Sequence, residues 1–148
     1  MNAAHLHLVL NHAPLFGSIA GIALLVWGLL RRSYEMRLAS YAAFVLSALA
    51  AIAVYLSGGA AESLVEDLPG VTERAIERHE DIAKVAMFAI GASGVLAAAA
   101  FFVERGRRTL RPIVLAALLV AAFAAVGVAG YTANLGGQIR HSEISSHP

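Results

Sequence analysis

Four long stretches of this 148-residue chain contain no Asp, Glu, Lys or Arg: 1–30, 38–61, 85–103 and 112–139. A helix of about 20 apolar residues crosses a hydrocarbon core of roughly 30 Å. In lipid, only helices and closed barrels satisfy every backbone polar group. The stretches are continuous runs of Ala, Leu, Val, Ile and Gly without the period-two alternation of a barrel strand, so they predict helices. Charged residues make up 14% of the chain, where soluble domains average about 25%. The expected fold is all-α: a single integral membrane domain over 1–148, packed as an up-down-up-down four-helix bundle. Its helices are predicted at about 11–30, 34–57, 72–104 and 112–136.

The charges that remain are sorted by position. The short connections 31–37 and 104–111 hold seven of the eleven Lys/Arg: Arg31, Arg32, Arg37, Arg105, Arg107, Arg108 and Arg111. The other polar segments carry eight acids against four bases. By the positive-inside rule the arginine turns face the cytoplasm, which puts both termini on the outer side of the membrane. No Lys or Arg precedes the first apolar run, so no cleavable signal peptide is expected. With no cysteine, thiolate metal sites, disulfides and cysteine-ligated iron–sulfur clusters are excluded.

Local signals set the expected helix ends. Asn11 reads as an N-cap, with Pro14 tolerated in the first turn. Residues 2–10 read as a short interfacial helix or an extended lead-in. Gly17 and Gly21 form a GxxxG pair, expected to serve packing within the bundle. Ser57-Gly58-Gly59 is expected to end the second helix, Pro69-Gly70 to break the long loop, and Thr72 to cap the third helix. That third helix would run about 48 Å, so its first turns must project beyond the membrane. In the projecting part Ala75, Ile76, His79, Ile82, Ala83 and Ala86 recur at three- and four-residue intervals, which turns His79 toward the bundle. Pro112 begins the last helix and Gly136-Gly137 is expected to end it.

The six histidines, His5, His7, His12, His79, His141 and His147, all lie on the presumptive outer side. His12 heads the first helix and His79 lies on the inward stripe of the third. In an up-down-up-down bundle these helices are diagonal, roughly 11–14 Å apart for neighbours spaced 8–10 Å. Two imidazoles can meet across such a gap on one iron, and haem accepts that ligation. The expected site is therefore a b-type haem near the outer face, ligated by His12 and His79, with His141 as the alternative ligand. Arg78 and Arg140 are candidates to pair with propionates. Gly58, Gly59, Gly136 and Gly137 would clear room for a flat macrocycle. His5, His7 and His147 read as tail residues. Glu77 or Glu80 with His79, His12 and His141 is the alternative, a Zn, Fe or Cu ion site.

Other chemistries lack their residues. There is no Ser-His-Asp arrangement, phosphate loop or nucleic-acid patch, and the arginines suit topology and anionic lipid. No charge lies mid-membrane, which argues against a proton pump or ion transporter.

Four motifs are shared with a family. They are His12-Ala13-Pro14-Leu15, Ser57-Gly58-Gly59, His79, and Thr132-Ala133-Asn134-Leu135-Gly136-Gly137 followed by His141. Together they resemble the pattern of small four-helix bacterial membrane proteins grouped as a domain of unknown function, and the resemblance covers most of the chain. Ala13 departs from it, since an aromatic is usual there. The resemblance implies a membrane-embedded redox or haem-binding role, because relatives look like b-type cytochromes working beside electron-transfer proteins. The expected function is single-electron transfer between a quinone or a partner redox subunit and an outer carrier such as a basic cytochrome c. The rival expectation is a non-catalytic accessory subunit that packs its small-residue faces into a larger membrane complex.

Overall fold

A computed structural model describes residues 3–64, 66, 69–106 and 110–140, and among these every regular element is a helix. A short helix, α1 (Ala3–Leu10), precedes four long ones: α2 (Ala13–Leu30), α3 (Tyr34–Glu62), α4 (Glu73–Arg105) and α5 (Pro112–Arg140). The four long elements are long and apolar enough to cross a membrane. α2 packs on α3, α3 on α4, α4 on α5 and α5 back on α2, while α1 lies on α3. The long helices therefore form the expected ring, with α2 and α4 on one diagonal.

Local chemistry sets most helix ends. Thr72 caps α4 as its sequence position predicts, accepting from the Ala75 N–H at 3.3 Å. Ser33 does the same for α3 through Met36 N–H, and Arg32, at a positive φ of 51°, makes the tight turn before it. Gly70, φ 84°, breaks the chain ahead of α4. Three ends differ from expectation. His12, not Asn11, occupies the N-cap position of α2, and its side chain makes no cap bond. α3 continues through Gly58-Gly59 to Glu62, and α5 continues through Gly136-Gly137 to Arg140. Glycine lowers helix propensity by only about 1 kcal/mol, which packing on neighbouring helices offsets.

The core has two characters. Toward the arginine end, Leu25, Tyr41, Phe44, Ala97, Leu118 and Ala122 form one buried cluster; toward the histidine end, Ala51, Ala86, Ile90, Ala125 and Ala129 form another. Alanine on facing helices brings backbones close, as in other membrane bundles. The Gly17/Gly21 pair serves contact with α3: a β-carbon on Gly21 would lie 2.7 Å from the Phe44 ring. Buried Ser18 and Ser47, 2.8 Å apart at their hydroxyls, both sit against the Pro14 carbonyl and tie α2 to α3.

At the arginine end a buried ion pair joins the start of α3 to the end of α4. Arg37 Nε lies 3.1 and 3.0 Å from the two Glu104 carboxylate oxygens, and Glu104 is 5% exposed. The fully buried Tyr41 hydroxyl has no hydrogen-bond partner among the described residues.

Candidate functional site

The histidine end is assembled from α1, the last turns of α3, the first turns of α4 and the last turns of α5. On α4, Ile76 and Ala86 are buried, while Ala75, His79, Ile82 and Ala83 are half-buried. Glu73, Arg74, Glu77, Arg78 and Asp81 are exposed. The periodic stripe read from the sequence thus faces the bundle, and His79 lies on it. This part of α4 precedes the uncharged stretch 85–103.

His79 donates from Nδ1 to the Thr132 carbonyl of α5 at 3.1 Å. A carbonyl can only accept, so the bond places the proton on Nδ1 and leaves the Nε2 lone pair free. The ring lies across Gly136, where a β-carbon would come within 3.0 Å of His79 Cε1. Thr132 and Gly136 are four residues apart, so one helical turn supplies both the carbonyl and the bare surface beside it. Burial pushes the His79 imidazole below the ordinary histidine range; the Thr132 carbonyl and Glu80 pull the other way, and His7 adds to the downward push. Burial thus favours the neutral imidazole, the state in which histidine binds metals.

His7 repeats this arrangement on the other side. Its Nδ1 lies 3.0 Å from the Val54 carbonyl of α3 and 3.3 Å from Ser57 Oγ. Its ring faces Gly58, where a β-carbon would meet His7 Cε1 at 3.8 Å, an ordinary contact. Val54 and Gly58 are again four residues apart. Two imidazoles, from α1 and α4, are thus each set on a glycine of a neighbouring helix, with Nδ1 on the carbonyl one turn earlier. Each is also close enough for the charge of one to act on the other.

His12, the expected partner of His79, has other contacts. His12 is exposed, stacked on Phe16 with ring centroids 6.3 Å apart and bonded through Nδ1 to Asn11. His7, read as a tail residue, is instead held in a helix packed on α3. Its signal was present in the sequence: in a helix over Ala3–Leu10, Leu6, His7 and Leu10 share a face, and all three are half-buried.

Other expected members divide. Arg78 donates from Nη2 to the Tyr131 hydroxyl and lies 5.9 Å from that ring. It therefore forms a second α4–α5 tie beside the His79–Thr132 bond. Gly58 and Gly136 lie under the histidine rings, whereas a β-carbon on Gly59 or Gly137 would meet nothing within 4 Å. Arg140 ends α5. His141 lies outside the described residues. Among the described residues no group of three or more His, Asp or Glu is placed to hold a metal ion, so the Zn, Fe or Cu alternative lacks its ligand cluster there. Glu80, whose charge acts on His79, also lies 4.0 Å from Lys84, which bonds Asp81 at 3.1 Å. Comparison with known proteins finds no match: no family model, no curated protein and no solved structure aligns with the chain.

Proposed function

We propose that this chain is a membrane-anchored b-type haem protein that carries single electrons, with His7 and His79 as its axial ligands. The observation that supports this reading is the repeated imidazole–glycine–carbonyl arrangement. A histidine that ligates metal through Nε2 donates Nδ1–H to a carbonyl or carboxylate, which fixes the tautomer and strengthens the donor. Both His7 and His79 make that bond. The donor set also fits haem better than a bare ion. Haem takes two axial protein ligands, whereas zinc takes three or four.

When bound, haem supplies a one-electron iron couple. The chain's own residues would hold the two imidazoles by their Nδ1 atoms and, through Gly59 and Gly137, leave open backbone beside the glycines under the rings. Arg78 would hold a propionate by exchanging its Tyr131 contact for a charge-assisted bond. The histidine end would face the periplasm, as the arginine turns argue. Its exposed Glu66, Glu73, Glu77 and Asp81 would favour encounter with a basic electron carrier such as a cytochrome c, while a quinone or a redox subunit in the membrane would supply the other partner.

A reduced-minus-oxidised absorbance spectrum of the detergent-solubilised protein, reconstituted with haem, tests this. A sharp low-spin bis-histidine signature, lost in His7→Ala and in His79→Ala, is the expected result. A protein that gives no such spectrum is not a b-type cytochrome. The accessory-subunit reading draws on exposed Ala117, Ala124 and Gly127, which recur on the lipid side of α5. It would be favoured if the His7→Ala/His79→Ala protein kept both its assembly and its redox activity.

A further inference from the structure

Far from the histidines, the surface between α4 and α5 contains an apolar cavity of about 230 Å³. It is lined by Leu96 and Ala100 of α4 and by Ile113, Val114, Ala117 and Leu118 of α5. Ala100 and Leu118 form its buried floor, at 4% and 2% exposure, while Leu96, Ile113 and Val114 are open walls. The cavity lies next to the arginine turn: Arg105 is five residues beyond Ala100, and Arg111 two before Ile113.

We infer that this groove binds an anionic phospholipid, one acyl chain in the cavity and the phosphate on Arg105 and Arg111. The charge at this end argues for the occupant. Of the described acids near it, Glu104 is neutralised by Arg37 and Glu35 accepts from Ser33, whereas Arg31, Arg32, Arg105 and Arg111 are exposed. The Arg105 guanidinium carbon lies over the Phe101 ring, 5.9 Å from its centroid, within cation–π range. A guanidinium presents a fork of N–H donors that a phosphate can accept bidentately. Arg31 is placed alike over Trp27 at 5.3 Å, so two aromatic rings hold arginines at this rim. An apolar slot beneath a positive rim matches a negatively charged lipid and offers a zwitterionic one no additional attraction.

The test uses the full chain purified in mild detergent, exposed to equal amounts of phosphatidylglycerol and phosphatidylcholine of the same acyl composition, with retained lipid counted by native mass spectrometry. Phosphatidylglycerol should be retained preferentially. The Arg105→Gln/Arg111→Gln double variant should lose about 25-fold of that retention, at roughly fivefold per arginine. Ala117→Trp, which fills the cavity from an exposed position, should reduce it as well, with helical circular dichroism unchanged. Equal retention of the two lipids would overturn the inference, as would retention unaffected by the double variant. Loss in the arginine variant with none in Ala117→Trp would overturn the groove, leaving charge alone. None of these outcomes depends on the haem spectrum, so this inference and the redox proposal fail separately.

Discussion

The ring of His79 occupies the space that a β-carbon on Gly136 would need, with 3.0 Å from that position to Cε1. At His7 the same relationship to Gly58 is relaxed to 3.8 Å. Two sites built on one plan therefore differ in tolerance. Gly136→Ala should displace His79 from the Thr132 carbonyl and weaken haem binding by about 10- to 100-fold, the usual cost of losing an outer-shell partner. Gly58→Ala should change it by less than about twofold, since the added methyl sits at normal contact distance. Titration of the apo-protein with haem, followed by absorbance, measures both.

Removing single histidines separates the two candidate ligand pairs. His7→Ala and His79→Ala should each convert a six-coordinate spectrum to a five-coordinate or empty one. His12→Ala should leave it unchanged, because that ring is exposed and bound to Asn11 and Phe16. A spectrum that survives His7→Ala but not His12→Ala would restore the pairing expected from sequence.

The arginine end offers a stability test independent of the cofactor. Glu104→Ala leaves Arg37 without its carboxylate in a largely buried place and should destabilise the bundle by about 3 kcal/mol, the low end for a broken buried pair. Replacing both partners with Arg37→Met and Glu104→Leu should cost less than the single change, since no buried charge then lacks a partner. Denaturant titration in detergent micelles, monitored by helical circular dichroism, reads both.

Acid should loosen the histidine end. Burial holds His79 below its unfolded pKa, so the unfolded chain takes up a proton first as pH falls. The stabilising contribution is full above about pH 6.5, the ordinary histidine value, and is lost as pH drops from there through the lowered folded value. Thermal unfolding followed between neutral pH and pH 5 should show this decline, and His79→Gln should flatten it.

A packing prediction concerns α2 and α3. Gly21→Ala would place a methyl 2.7 Å from the Phe44 ring and should destabilise by about 1–3 kcal/mol. Gly127→Ala, with nothing within 4 Å, should be neutral or slightly stabilising, because alanine is the better helix former. Thermal melts of the two variants against the parent give the comparison.

Much of this architecture was readable in advance. The charge-free stretches mark four spanning helices because the cost of burying an ion in lipid leaves a sharp compositional trace. Thr72, Pro112 and the three- and four-residue spacing around His79 act within one or two turns of chain, so they too can be read directly. Where expectation failed, the signal was local but the answer was not. Gly58-Gly59 and Gly136-Gly137 look like helix ends, yet α3 and α5 run through them because packing on other helices outweighs a small propensity penalty.

The amino-acid order alone determined which segments are apolar helices, that they alternate in direction, and that His79 points inward. Tertiary structure decided its partner. His7 reaches Val54 across 47 residues of chain, and His79 reaches Thr132 across 53. No short-range rule encodes those distances. They follow from the docking of α1 on α3 and from the height at which α4 meets α5, which many weak side-chain contacts set together.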